Sequence, residues 1–488
     1  MYIRKTLDGE NTQHPDTYKW LGLITASMGM FLCSLDITVN VALPDITKSF
    51  ATDAQTIEWI ILFYVGSSTG LQLSLGNAAD VYGRKRFYII GLVVYTFAVL
   101  LIGMAPRLSM VFALRVLQAV GNSLIMVCAP ALVTSIFSPT ERGKALGLLT
   151  GFATLGMVTG ALAGGAVVDG LGWRAIFIAR VPLGIIVIVM ATQWLREDVY
   201  RDTPSYDVWG SVTLFVGLVS FILFLTLGGR NGWTTPSVLL LLMLSGLSGI
   251  FFVKIEKTVT QPVFDLGLLK HRVLVPVVAA AYLMFLAIFV NWFILPFYVS
   301  GTLQVNAKVL GFLLMLMPLL GAVTAPIGGW FADRMPPAYL TTGSLIVIAA
   351  SMFWFTLLGK DSTVAEVAFR MAAVGFGMGL FQAANATLIM SAVPSNNLGT
   401  GGALLAMSRS MGTVSSVALM GALFASRLDM HTLAIAQQTV SEEGGHGQAF
   451  VLAFKDLYLV SAVLALIAVL VSFYVWPERQ GRHQSDST

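Results

Sequence analysis

Long apolar runs recur along almost the whole chain, each separated from the next by a short polar stretch that gathers Lys, Arg, Asp and Pro. A helix needs about 17–25 predominantly apolar residues to cross the hydrocarbon core of a bilayer. By that length the chain is expected to hold fourteen spans, at 20–43, 57–77, 86–105, 110–133, 143–168, 173–195, 208–228, 236–255, 273–300, 308–331, 339–359, 364–390, 400–426 and 453–476. Helices are the expected form because lipid offers the backbone no hydrogen-bond partners. The first run, Trp20–Pro44, is too long for a signal-peptide core and lacks a small-residue cleavage pattern, so it is read as a span.

Composition agrees with lipid as the solvent. Of 488 residues, 56% are hydrophobic and 11% charged, where a soluble domain carries about a quarter charged. Cys33 and Cys128 both fall inside apolar runs and read as packing residues, with no disulfide framework or metal-ligand spacing. The net charge of +4 sits in loops and gives no reason to expect nucleic-acid binding. Seventeen basic residues, Arg84, Lys85, Arg86, Arg142, Lys144, Lys254, Lys257, Lys270 and Arg272 among them, fall on the side of the N-terminus, and eight fall opposite. Cytoplasmic loops are enriched in Lys and Arg. Both termini are therefore expected inside, in a bacterial inner membrane.

The chain repeats itself. Gly76 and Asp80, then Arg115, then Pro139 return as Gly329 and Asp333, then Arg370, then Pro394, with Gly-to-Asp spacing of four and Arg-to-Pro spacing of 24 in both copies. Two homologous six-helix halves follow, of the kind that place a site at the midplane between rocking bodies. The expected organisation is an N-terminal segment 1–19, a first half 20–195, a linker with two extra helices 196–272, a second half 273–476 and a tail 477–488.

Four motifs then narrow the reading. Leu35-Asp36-Ile37-Thr38-Val39-Asn40-Val41-Ala42-Leu43-Pro44 resembles the first-helix signature of the fourteen-span drug:proton antiporter family of the major facilitator superfamily. Gly76-Asn77-Ala78-Ala79-Asp80-Val81-Tyr82-Gly83-Arg84-Lys85-Arg86 resembles the superfamily's loop motif between spans two and three. Arg115, Gln118 and Gly121 resemble its Arg motif, with Ala119 where a Gly is usual. Gly147, Gly156, Gly160, Gly164 and Gly165 reproduce the antiporter-motif spacing, with Ala161 in place of its Pro. The resemblance covers essentially the whole chain and implies an all-α polytopic major facilitator fold with fourteen transmembrane helices.

Asp36 is the sharpest candidate. A carboxylate that deep costs roughly 2.5–3.5 kcal/mol or more unless it meets a cavity or partner, and burial disfavours the charged form of any carboxylate. It is expected to carry a proton, to bind a cationic substrate, or both in turn; the alternative is a structural acid bonding through Thr38 and Asn40. Arg115, with Gln118, is expected to position a carboxylate or water, since Arg does not deprotonate. Glu58 is a candidate second acid. Arg180 suits an anionic or zwitterionic substrate if it faces the cavity, or else it snorkels outward. Arg370 and Arg409 read as structural. The resemblance implies that Gly76, Asp80, Gly83 and Arg84 latch one conformation, with Asp333 and Arg334 as a weaker copy. The glycines of span five permit close packing on a sliding partner helix.

A nucleotide-driven pump would need a phosphate-cradling GxxxxGK loop, and none is present. The five histidines scatter over loops and tails, so neither an enzyme, a cofactor nor a metal site is expected. The expected function is proton-coupled export of amphipathic small molecules, cations among the candidates, by a monomer surrounded by membrane lipids. The alternatives are a dedicated exporter or flippase for a lipid, metabolite or anion, and a non-transporting sensor descended from a carrier.

Overall fold

The computed structural model describes residues 16–138, 141–196, 207–259, 273–332, 334–392, 398–436 and 445–476, and every regular element among them is helical. Thirteen described helices are long and apolar enough to cross a membrane. The expected span 57–77 lies in one further helix, α3 (Ala54–Tyr82), continuous over 29 residues.

The first half comprises α1 (Asp16–Ser34), a 3-10 turn (Leu35–Ile37), α2 (Thr38–Ser49), α3, α4 (Arg84–Gly103), α5 (Leu108–Ile136), α6 (Arg142–Leu171), α7 (Ala175–Ile178) and α8 (Arg180–Trp194). Two buried tyrosines fasten α4 to α1, Tyr88 Oη donating to the Thr25 carbonyl at 2.9 Å and Tyr95 Oη to the Leu32 carbonyl at 3.1 Å. Helices α4 and α5 approach so closely that a Cβ on Gly121 would lie 2.5 Å from the Tyr95 nitrogen. Pro44 falls inside α2 and does not end it.

The second half comprises α11 (Leu274–Ile288), α12 (Val290–Phe293), α13 (Leu295–Phe297), a π turn (Tyr298–Thr302), α14 (Ala307–Ala332), α15 (Pro337–Phe355), α16 (Val364–Ala392), α17 (Leu398–Ala436) and α18 (Gly445–Ser472). Its core is aromatic. Tyr298 stacks on Phe454 at 4.4 Å and Phe355 on Tyr458 at 4.6 Å, while Tyr458 Oη donates to Asn291 Oδ1 at 2.9 Å. Between the halves, α9 (Val208–Asn231) and α10 (Pro236–Glu256) form a hairpin on the outside of the bundle. Helix α9 rests on α3 and α17, with Phe215 over Gly70 and Gly229 against Ala422. The outward side of α10 is almost wholly apolar.

The halves meet at the end of the bundle that carries the α2–α3 turn. There α6 lies on α14, where a Cβ on Gly165 would come 2.3 Å from the Ala307 carbonyl oxygen and one on Gly311 2.3 Å from that of Ala161. Asp169, near the end of α6, accepts from the Ala307 and Lys308 nitrogens at 2.9 and 3.1 Å. Those amides open α14, where free N–H groups and the helix dipole favour an anion. Helix α3 meets α17 at the same end, with Glu58 against Gly421. One end is thus closed by glycine contacts and one carboxylate cap. Because nothing short of moving a backbone relieves a clash at Gly165, Gly165→Val is expected to part α6 from α14. Spin labels at Gly170 and Lys308, both exposed, would then give a longer and broader distance distribution by electron double resonance; an unchanged distribution would remove these contacts from the role of closing the bundle.

Candidate functional site

The first span is broken at its most informative residue. Helix α1 ends at Ser34, and the turn Leu35–Ile37 tightens the chain before α2 begins. Thr38 Oγ1 donates to the Leu35 carbonyl at 2.8 Å, which holds the turn from within. The turn lies against α6. A Cβ on Gly156 would meet the Phe31 carbonyl at 2.5 Å, one on Gly160 the Leu35 carbonyl at 3.1 Å, and one on Gly164 the Thr38 methyl at 2.6 Å. These three glycines are the surface against which the Asp36 turn rests; Gly147 has open space around it and Gly165 faces the second half.

Asp36 is nearly enclosed, and side chains of two helices, α5 and α8, reach it. Arg180, the first residue of α8, pairs directly with Asp36 Oδ1 and also donates to Thr38 Oγ1 and, at 2.8 Å, to the Leu35 carbonyl. Gln118 Nε2 of α5 spans both carboxylate oxygens at 2.9 and 3.0 Å. Arg115 Nη1 donates to Gln118 Oε1 at 2.7 Å and stands 3.6 Å from Asp36 Oδ1. Arg115 is itself fixed by its Nε on the Ile60 carbonyl at 3.1 Å and by the Tyr64 ring, 4.0 Å below its Cζ. Tyr95 Oη lies 3.5 Å from Arg180 Nη1. Asp36, Arg115, Gln118 and Arg180 therefore form one connected polar cluster, and the side chains of both arginines are only 3% exposed.

The pairing of Arg180 with Asp36, across 144 positions, is the relation the sequence reading did not draw, although it carried a usable signal. A guanidinium buried in lipid-spanning protein needs an acceptor, and Asp36 was the acid already placed deep in a span.

The other candidates lie elsewhere. Asn40 is buried one turn beyond Asp36 and makes no hydrogen bond to the cluster among the described residues. Glu58 is at the α3–α17 contact, 1% exposed. Gly76 lies against Val127 of α5, Gly83 links α3 to α4 with φ +107°, and Arg84 Nη1 donates to the Ala131 carbonyl at 3.3 Å. The side chain of Asp80, and Asp333 altogether, lie outside the described residues. Arg334 folds back on its own helix, its Cζ 3.8 Å over the Trp330 ring. Arg370 donates to the Trp354 and Glu366 carbonyls at 2.9 and 2.8 Å.

Two cations and one anion leave the cluster one positive charge in excess when Asp36 is ionised. At 4 Å in protein surroundings, one pair of unit charges interacts by about 4 kcal/mol at an effective dielectric of 20. Removing one partner of a buried pair typically costs about 3–5 kcal/mol because the other is left unmatched. Asp36→Asn leaves two unmatched guanidiniums, whereas Arg180→Gln leaves Arg115 balanced against Asp36. Thermal unfolding of the purified protein should therefore rank native above Arg180→Gln and Arg180→Gln above Asp36→Asn, with the double variant recovering part of the loss. Arg180→Gln as the least stable of the set would contradict this charge balance.

Comparison with known proteins places this arrangement in a family. The model of the Major Facilitator Superfamily matches residues 20–417. The riboflavin transporter RibZ of Clostridioides difficile is 27% identical over 463 residues, covering 93% of this chain and 97% of its own. The puromycin resistance protein pur8 of Streptomyces alboniger is 28% identical over 471 residues, covering 94% and 92%. The multidrug resistance protein Stp of Mycobacterium tuberculosis is 26% identical over 410 residues, covering 84% and 76%. In fold, the chain is similar to a bacterial homologue of the human lysosomal transporter Spinster in an inward-facing, unoccupied conformation, with TM-score 0.67, 16% identity, and coverage of 95% of this chain and 98% of that one. A chain matched by this family model over most of its length, folded as two helical halves around a buried charged cluster, belongs to the Major Facilitator Superfamily and is a multi-pass membrane transporter, not an enzyme.

Proposed function

We propose that this transporter is a proton-coupled exporter of amphipathic small molecules, working by alternating access with Asp36 as the proton-carrying group. The observation that carries the reading is the position of Asp36. It lies at a helix break and its carboxylate is held by residues of α5 and α8. Protonation would cancel its attraction for both guanidiniums and raise the cluster's excess from one positive charge to two. The turn would then release Arg180 or the site would have to change its occupant. A proton is thereby converted into a change in how α1, α5 and α8 are joined.

The halves make contact at one end, as alternating access requires of each end in turn. The excess of Lys and Arg at the opposite end supports a cytoplasmic assignment for that end and for both termini, in a bacterial inner membrane. Under this assignment the closed end is the outer one, and the conformation is inward-facing. Export, in preference to uptake, is supported by the relatives named for resistance to puromycin and to multiple drugs. A dedicated carrier of an anionic compound is the second reading, favoured by the positive excess around Asp36.

The test is transport in proteoliposomes of a lipophilic dye, with and without an imposed pH gradient. Native protein should accumulate dye when the gradient is imposed, and Asp36→Asn should lose that accumulation by roughly tenfold or more, equivalent to about 1.4 kcal/mol, while still exchanging labelled for unlabelled dye at equal pH. Gradient-driven accumulation by Asp36→Asn at the native rate would remove Asp36 from proton coupling.

A further inference from the structure

We infer that the transported molecule is an amphiphile bearing an anionic group, bound by Arg409 of the second half within the field of the positively charged Asp36–Arg115–Arg180 cluster of the first. This inference deepens the exporter reading and rests on it for the direction of transport. Its starting point is an arginine that the cluster around Asp36 does not use.

Arg115, Arg180, Arg370 and Arg427 each stand within 4 Å of a carboxylate, of Asp36, Asp36, Glu366 and Asp456 respectively. Arg409 does not. It lies about three turns into α17, it is exposed, and it has no ion pair or hydrogen bond among the described residues. A guanidinium at that position in a spanning helix requires water or a bound acceptor.

The direction in which Arg409 projects follows from its neighbours. Leu404, Met407, Ser408 and Met411 line one side of α17, facing an apolar groove of about 570 Å³ shared with α9, α10 and α11. Gly412 lies against the Tyr282 carbonyl of α11. At about 100° per residue, Arg409 leaves the helix on the side opposite that groove, away from the outer α9–α10 hairpin and toward the interior of the bundle. The same side of α17 is sealed nearer the closed end, where Thr413, Ser416 and Met420 are all buried. Arg409 is therefore at the open part of the interior, on the half opposite Arg180.

The charges then decide the cargo. The first half contributes one net positive charge from Asp36, Arg115 and Arg180, and the second contributes Arg409 without a counter-ion. A cationic cargo would add to both; a carboxylate, sulfonate or phosphate would offset both and give Arg409 its missing acceptor in a geometry to which a planar guanidinium is suited. Selection of the sign arises from both halves together, as a site between two rocking bodies requires.

Two xanthene dyes of similar size and opposite charge, fluorescein and rhodamine 123, separate the alternatives. Binding to the full-length protein in a neutral maltoside detergent is followed by fluorescence anisotropy. The native protein should bind fluorescein at least tenfold more tightly than rhodamine 123. Arg409→Gln should abolish that preference and Arg409→Lys should retain most of it, with monodispersity on gel filtration confirming that each variant is folded. Equal or tighter binding of rhodamine 123, no binding of fluorescein, or a preference indifferent to Arg409→Gln would overturn the inference. Gradient-driven uptake into proteoliposomes judges the exporter reading separately: fluorescein binding that depends on Arg409 without any gradient-driven uptake would leave the anion site standing and sink proton-coupled export.

Discussion

A charge removed from water must find another charge or a dense set of hydrogen bonds, and in a body whose outer surface meets lipid there are few places to find either. The cluster around Asp36 is organised by that requirement. Arg180 and Arg115 lie on different helices, and each is positioned by a second constraint besides Asp36: Arg180 by the Leu35 carbonyl, Arg115 by the Ile60 carbonyl and the Tyr64 ring. The 3-10 turn brings the carboxylate into reach of both, and the glycines of α6 leave the turn the space it occupies. Such a cluster adds little net stability compared with apolar side chains of the same volume. What it supplies is a junction between helices that is built on a single carboxylate.

Helix α6 gives that junction a mechanical neighbour. Its residues Gly156 to Gly164 support the Asp36 turn, and the next residues, Gly165 to Asp169, meet α14 across the two halves. From Gly160 to Asp169 is about 14 Å at 1.5 Å per residue. A rearrangement of the turn is thus felt on the same rigid helix that closes the bundle. Tight contacts of backbone on backbone do not yield by degrees, since a packed interface has few intermediate arrangements. With Ala161 where the antiporter motif has a Pro, this helix runs unbroken from Arg142 to Leu171.

Much of this was legible in the sequence because it is recorded in composition and spacing. Apolar length marks where the long helices fall, and the repeat of Gly, Asp, Arg and Pro is what leads to the expectation of two halves. Other features were not legible, for identifiable reasons. No Gly or Pro marks the turn at Leu35–Ile37; Pro44, which does look like a stop, is accommodated within α2. The span expected at 400–426 belongs to a helix that runs on to Ala436, because Arg427 and His431 are paired with Asp456 of α18 and so remain compatible with helix. The Arg180–Asp36 pair joins residues 144 positions apart, and Arg409 differs from its paired counterparts in having no acid beside it among the described residues, which a single sequence does not reveal.

The sign of the cargo also sets the energy available to move it. Exchange of a monocation for one proton is electroneutral and draws on the pH gradient alone. Exchange of a monoanion for one proton carries two elementary charges inward, each worth about 2.3 kcal/mol per 100 mV of membrane potential. At 100 mV, interior negative, that amounts to about 4.6 kcal/mol, or more than a thousandfold of concentrating power at 1.4 kcal/mol per decade. In the proton-coupled exporter proposed above, an excess of cations facing the cargo would match the larger driving force, with a single proton carried on Asp36 connecting the two.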